Sequence, residues 1–447
     1  MRGAMLARLF SFSAAAAMLL AACTPSAEPT PTGAAKPAGG QPTQKPAVVS
    51  SPSPAIAPSP SPAAGGALSG TIKIVSSLPR TGSSKGQTDT IVNAIKMALD
   101  EANNRVGGAT IAYQDMDDAT AAKGSWDAAK EAENANTAVN DPDVLAYIGT
   151  FNSGAAKVSI PILCQANLVM ISPANTYPGL TKKVEGVEAN EPDTYYPGCK
   201  RNYTRVVPSD ELQGAAAAKW SKDLGATKAY ILDDTELYGH GIAVFYDQTA
   251  RKIGLQVVGG PEGIDPKATD YRSVAQKVRQ SGADVVFFGG ITQNNAGKLW
   301  QDLRDALGND VRLMGPDGIK EEAFLEAAGT AAEGSYITFG GVPPNKLTGK
   351  GAEWYKRYKD QFRSEPEAYA SYGYESARVA LDAIERAGRK DRAAVRDAVF
   401  AIKDFDGVLG KWSFTETGDT TLTNMTGRQV KNGRFDDENA QILEAPS

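Results

Sequence analysis

The stretch from Tyr147 to Thr181, YIGTFNSGAAKVSIPILCQANLVMISPANTYPGLT, limits the fold more than any other part of the chain. VLAYIGT is an apolar run that ends at Gly149, and the segment opened by NSG sets Ala156, Ile160, Ile162 and Leu163 as the apolar positions of a packed helix. LVMISP is a second strand, almost wholly apolar. Strands without polar alternation belong to a parallel sheet covered on both faces, and ligands of such sheets sit beyond the carboxyl ends of the strands. Here those ends are NSG and SPANT, so the two turns are expected to face each other. NSG offers the Ser153 hydroxyl and the free N–H groups of a helix start, which suit a carboxylate. SPANT offers backbone carbonyls and the Thr176 hydroxyl, which suit a donor such as an ammonium group.

The same alternation runs through most of the chain. TIKIVSSL reads as a strand, and DTIVNAIKMALDEANN puts Ile91, Val92, Ile95, Ala98 and Leu99 on one helical face. ATIAYQD is a strand, and the Ala-rich segment Ala121 to Val139 is expected to be helical. After RNYTRVVP the beat restarts. ELQGAAAAKWSKDL, GIAVFYDQTARKIG, YRSVAQKVRQSG and NAGKLWQDLRDALG read as helices between the strands ATKAYILDD, LQVVGG, ADVVFFGG and VRLMGPDG. Two such runs predict an α/β protein with two doubly wound parallel-sheet lobes and a cleft between them. The remaining hundred or so residues break the rhythm, with one strand (GSYITF), three helices and short strands around KWSFTE and RQVKNGRF. No internal repeat signals a solenoid.

The N-terminus, MRGAMLARLFSFSAAAAMLLAAC, has two arginines ahead of a short apolar run, the pattern of an export signal. Leu20-Ala21-Ala22-Cys23 resembles a bacterial lipobox, which implies cleavage before Cys23 and its lipidation, over a signal of residues 1–23. Residues 24–67 are Pro, Ser, Ala, Thr and Gly with only Glu28, Lys36 and Lys45 charged. A composition like this cannot bury a core and suits a disordered tether between a lipid anchor and a folded body. A net charge of −5 over 447 residues argues against nucleic acid, whose binders concentrate Lys and Arg.

Several chemistries fall away on residue content. His240 is the only histidine, so a multi-histidine metal site is excluded and none of any other kind is expected. No GxGxxG follows the first strand, and neither GxxxxGK[ST] nor a GxSxG nucleophile elbow occurs, so no catalytic residues and no cofactor are assigned. An exported hydrolase on an α/β scaffold would need such an elbow. Cys164 and Cys199 are the cysteines left in the body, and an exported compartment favours a disulfide between them that pins the loop Glu185 to Cys199.

At this point the sequence resembles the branched-chain amino-acid binding protein family, type I periplasmic binding proteins that serve as receptors of ABC importers. The resemblance spans about Gly70 to Phe435 and rests on LPRTG before an Ala-rich helix, IGTFNSGAA, MISPANTYPGLT, LYGHG, VVFFGG, LMGPDG and YGYESARVALDAI, in that order. It implies two lobes joined by three crossovers, expected at 68–206 plus 335–402 and at 207–334 plus 403–447. It further implies a monomer that closes on an amino acid or amino-acid-like molecule outside the cytoplasm and presents it to permease and ATPase subunits. A sensor of the same fold that signals to a partner receptor is the alternative. Residue by residue, Ser153 matches the serine that binds the ligand carboxylate, and Ala174 and Thr176 match positions whose backbone and hydroxyl hold the ligand. Tyr238 matches an aromatic that closes over it from the second lobe. Asp317 stands where the family usually has a glutamate that pairs with the ammonium, an arm one methylene shorter. Gln87 stands where branched-chain binders carry an aromatic, and with Ser83, Ser84 and Lys85 it makes that wall polar.

Overall fold

The computed structural model describes residues 68–446. The export signal, the lipobox with Cys23 and the tether all lie outside the described residues. No helix among the described residues is long and apolar enough to cross a membrane.

The first lobe is built on β1 (Ser69–Leu78), α1 (Lys85–Glu101), β2 (Gly108–Asp117), α2 (Ala128–Asn140), β3 (Val144–Gly149), α3 (Ser153–Gln165), β4 (Val169–Ser172) and β5 (Tyr203–Arg205). Its strands lie in the order β2-β1-β3-β4-β5, all parallel, with a short antiparallel edge at Arg105–Val106. The apolar run of β3 is buried along its whole length, as a strand covered by helices on both faces must be. The second lobe follows with α4 (Asp210–Asp223), β6 (Lys228–Asp233), α5 (Leu237–Lys252), β7 (Gln256–Gly263), α6 (Arg272–Ser281), β8 (Val285–Gly289), α7 (Ala296–Leu307), β9 (Arg312–Gly315), α8 (Glu322–Ala328) and β10 (Tyr336–Gly340). The chain then returns to the first lobe as α9 (Lys350–Phe362), α10 (Ala370–Ala387) and α11 (Arg392–Phe400), and α10 packs along α1. β11 (Met425–Lys431) ends the traffic by pairing antiparallel with β10, giving the order β7-β6-β8-β9-β10-β11 in the second sheet. The chain therefore passes between lobes three times.

Four expectations need correction. β10 belongs to the second sheet, with Met314 opposite Tyr336, so the first lobe does not resume at 335. Conversely, 403–414 stays with the first lobe, because Val408, Trp412 and Phe414 are buried in the same core as Trp354 and Tyr374. The buried carboxylate of Glu375 fastens this segment, accepting from Trp412 Nε1 at 2.7 Å and Val408 N at 3.0 Å. The helix expected from Ala121 begins only at Ala128. Gly124, at φ +63°, turns a short hairpin between Ala119–Thr120 and Ser125–Trp126, and the Asp127 side chain then caps the helix by accepting from Ala129 N and Lys130 N. Lastly, the helix expected from Gly241 already begins at Leu237, so the LYGHG segment is the first turn of α5. His240 sits there with Nδ1 3.1 Å from Asp233 Oδ2.

Cys164 and Cys199 are joined by a disulfide with Cα atoms 5.9 Å apart, which ties the C-terminal turn of α3 to the irregular loop before β5. Both ends lie in the first lobe. Closing a loop of this length stabilises the folded state by roughly 3–4 kcal/mol in the chain-entropy description.

Candidate functional site

The two turns singled out in the sequence are braced against each other. Asn175 is fully buried, and its Nδ2 donates to the carbonyls of Thr150 (2.9 Å) and Phe151 (3.0 Å), joining the β4 turn to the β3 turn. Ser172 Oγ donates to the Thr150 carbonyl at 3.1 Å and accepts the N–H groups of Ala174 (3.1 Å) and Asn175 (2.8 Å). Tyr177 N donates to Ser153 Oγ at 3.3 Å. Short polar side chains that hydrogen-bond nearby backbone are what hold such turns in one shape.

Arg205, at the end of β5 and 0% exposed, fixes the second turn from below. Its Nη1 donates to the carbonyls of Asn175 (3.2 Å) and Tyr177 (2.9 Å), on either side of Thr176, while Nε pairs with Asp419 Oδ1 at 2.7 Å. Burial works against the charge on Asp419, but the Arg205 guanidinium beside it holds the carboxyl below the usual carboxylate range. The Thr176 carbonyl in turn accepts from Asp210 N at 2.9 Å. The expectation that SPANT offers free backbone is thus corrected: the carbonyls of residues 175–177 and the Ala174 amide already have partners. What this turn presents is chiefly the Thr176 hydroxyl.

On the second lobe, β9 ends in GPDG, and Asp317 opens the single 3-10 turn Asp317–Ile319. Its Oδ1 accepts from Gln213 Nε2 at 2.7 Å and from Tyr238 OH at 2.8 Å, and its Oδ2 accepts from Tyr369 OH. Tyr369 precedes α10, so this bond crosses from the first lobe to the second. The Tyr238 oxygen also accepts from Gly318 N at 3.1 Å, and Gly318 can come so near because it has no Cβ, which would lie 2.5 Å from the Gly290 carbonyl. Burial pushes the Asp317 carboxyl above its ordinary value, and the donors from Tyr369, Tyr238 and Gln213 pull it part of the way back. Asp210, one turn from Gln213 on α4, is fully buried too. Its carboxyl lies beside the Thr176 hydroxyl with no well-aligned hydrogen bond to either oxygen, and burial followed by the nearby charge of Asp317 pushes it well above the usual range. Burial thus disfavours the charged form of both acids, while donors from three side chains favour it at Asp317.

Ser153, Ala174, Thr176, Tyr238 and Asp317 all line one small cavity of about 20 Å³ between the lobes, together with Phe151, Asn152, Ile291, Gly318 and Tyr369. The structure brings these five sequence-predicted residues together, whereas Ser83, Ser84, Lys85 and Gln87, expected to form a polar wall, do not line the cavity. It adds Tyr369, Gln213 and Asp210, which sequence reasoning missed. The cluster of tyrosines in YASYGYES was the available signal for the first, and the Asp-x-x-Gln spacing at the start of α4, one helical turn, for the other two. Two more polar bridges cross the cleft: Gln87 Nε2 to the Lys320 carbonyl at 3.4 Å, and Gln293 Nε2 to Ser84 Oγ at 2.6 Å. The lobes are therefore in contact around the cavity. A larger depression between Arg304, Arg312, Tyr336 and Lys431 opens at the amino ends of the second sheet, the end away from which parallel sheets hold ligands.

Comparison with known proteins agrees with this geometry. The family model described as periplasmic binding protein matches residues 71–434. A Leu/Ile/Val-binding protein homolog from Brucella abortus is 30% identical over 368 residues, covering 81% of this chain and 91% of the relative. The crystal structure of the leucine-binding protein LivK from Thermotoga maritima superposes with a TM-score of 0.72 at 25% identity, covering 84% of this chain and 99% of that one. LivJ from Streptococcus pneumoniae, solved with isoleucine, shares the fold with a TM-score of 0.70 at 23% identity over 84% of this chain and 99% of its own. With the family model spanning both lobes and the cleft between them, the chain belongs to the periplasmic binding protein family and is a solute-binding receptor of two-lobed, type I architecture.

Proposed function

We propose that this receptor captures an amino acid, or a closely similar dipolar molecule, and hands it to an ABC importer. One observation carries the reading. An acid from the second lobe, Asp317, lines the same cavity as a helix N-terminus with Ser153 and a hydroxyl from Thr176 on the first. The carboxylate of an α-amino acid would take the Ser153 end, where the α3 dipole and N–H groups favour an anion. Its ammonium would take Asp317 and Thr176, displacing some of the phenol donors that Asp317 now accepts. Such a ligand touches both lobes only in the closed form, and this difference in affinity is what drives closure.

The family works outside the cytoplasm, and the LAAC sequence ending at Cys23 supports attachment to the membrane through a lipid, with the folded body acting as a monomer. Replacing Cys23→Ser should release the protein from the membrane fraction. Thermal-shift measurements with amino acids, amides, urea and short peptides test the ligand class. Stabilisation of about 2.7 kcal/mol is expected for an α-amino acid at a hundredfold excess over its Kd. It should be lost when the amino group is acetylated. A panel in which no α-amino acid stabilises the protein would overturn the reading.

A further inference from the structure

Resting on that amino-acid reading, we infer that Gln87 sets an upper limit on side-chain length, so that the cleft selects short α-amino acids such as glycine, alanine and serine. Gln87 lies on the first turn of α1 and is only 3% exposed. Its Oε1 accepts from Tyr369 N at 3.3 Å within the first lobe, and its Nε2 donates to the Lys320 carbonyl on the second. It thus occupies the space behind two cavity-lining elements, Tyr369 and the Asp317–Gly318 turn. One turn earlier, Ser84 accepts from Gln293 Nε2, which also reaches Glu321 Oε2 at 3.0 Å. The start of α1 is therefore docked on the second lobe through two side-chain amides, of which Gln87 is buried.

A ligand anchored at Ser153 and Asp317 has its side chain between Phe151, Ile291 and Tyr369, and a methyl or hydroxymethyl group is compatible with that apolar wall. Tyr369 resists moving aside. Its ring packs edge-on against Phe151 and Phe339 at 5.6 and 5.0 Å, and its hydroxyl is bound to Asp317. A leucine-sized side chain would have to displace the Gln87 amide, leaving the Lys320 carbonyl and the Tyr369 N–H buried without partners. Each such loss lowers affinity on the order of 10- to 100-fold. Rejection by stranded polar groups discriminates more strongly than a shortage of volume.

Isothermal titration of the purified full chain with glycine, L-alanine, L-serine, L-leucine and L-phenylalanine tests the inference. The parent protein is expected to bind alanine at least tenfold more tightly than leucine, and Gln87→Ala to raise the leucine-to-alanine affinity ratio at least tenfold. Leucine bound as tightly as alanine by the parent would overturn the limit and leave the amino-acid reading standing, and this arm needs no variant to fold. A folded Gln87→Ala protein with an unchanged ratio would move the limit to another residue and overturn the assignment to Gln87. Binding of none of the five by parent or variant would instead overturn the amino-acid reading itself.

Discussion

The two walls of the cleft are made in different ways. On the first lobe the wall is backbone: two turns locked by Asn175, Ser172 and Arg205, with every locking group from the same lobe. On the second lobe the wall centres on one acidic side chain, Asp317, whose partners include a phenol from across the cleft. The first wall is held mainly by its own lobe, with one bond from Asp210 N of α4 to the Thr176 carbonyl. The second changes its bonding each time the lobes part. On the proposed reading, position is thus set by one lobe, and the energy that couples capture to closure resides mainly in the other.

The largest test of this contrast removes the brace of the fixed wall. Arg205→Met would leave Asp419 buried without its counter-charge, and a loss of about 3–5 kcal/mol in unfolding free energy is expected from denaturant titration. A loss below 1 kcal/mol would mean the turn holds its shape unaided. Next is the switchable wall. Asp317→Asn keeps the shape but removes the charge, so affinity for an α-amino acid should fall about 10- to 150-fold, the worth of a charge-assisted hydrogen bond. The Tm of the ligand-free protein should move little, and a large drop would show that Asp317 belongs to the scaffold. Smaller again, Tyr369→Phe deletes only the cross-cleft hydroxyl. A net hydrogen bond of about 1 kcal/mol predicts roughly fivefold weaker binding, seen as faster dissociation in stopped-flow fluorescence. The smallest effect is that of pH. The Asp317 carboxyl titrates above its ordinary value of 3.8, and an ammonium ligand needs it ionised. Affinity should therefore fall on acidification, and Asp317→Asn should abolish the trend. A rise in affinity with acid would contradict the assignment of the ammonium end.

These tests also mark where the sequence stopped being informative. The βα rhythm and the juxtaposition of NSG with SPANT could be read in advance, because unbroken apolar strands followed by short polar turns leave few alternatives. Which sheet a strand joins is another matter. GSYITF reads like any buried strand, and only its pairing with β9 and β11 assigns β10 to the second lobe. Trp412 and Phe414 likewise look like a sheet tail until their packing against the first core is seen. The donors to Asp317 stand 104, 79 and 52 residues from it along the chain, so no local pattern announces them. Gln87 stands out in the sequence as a polar residue where the family resemblance implies an aromatic, but its two partners lie 233 and 282 residues away.

The threefold passage of the chain between lobes bears on how such a protein can be made and rebuilt. Neither half is a contiguous piece of polypeptide, so no single cut yields an autonomous module. The second sheet takes its antiparallel strand, β11, from chain that lies beyond the helices α9 to α11 of the first lobe. Assembly of the two bodies is interleaved, and grafting a new specificity is better attempted by exchanging turns than by swapping halves.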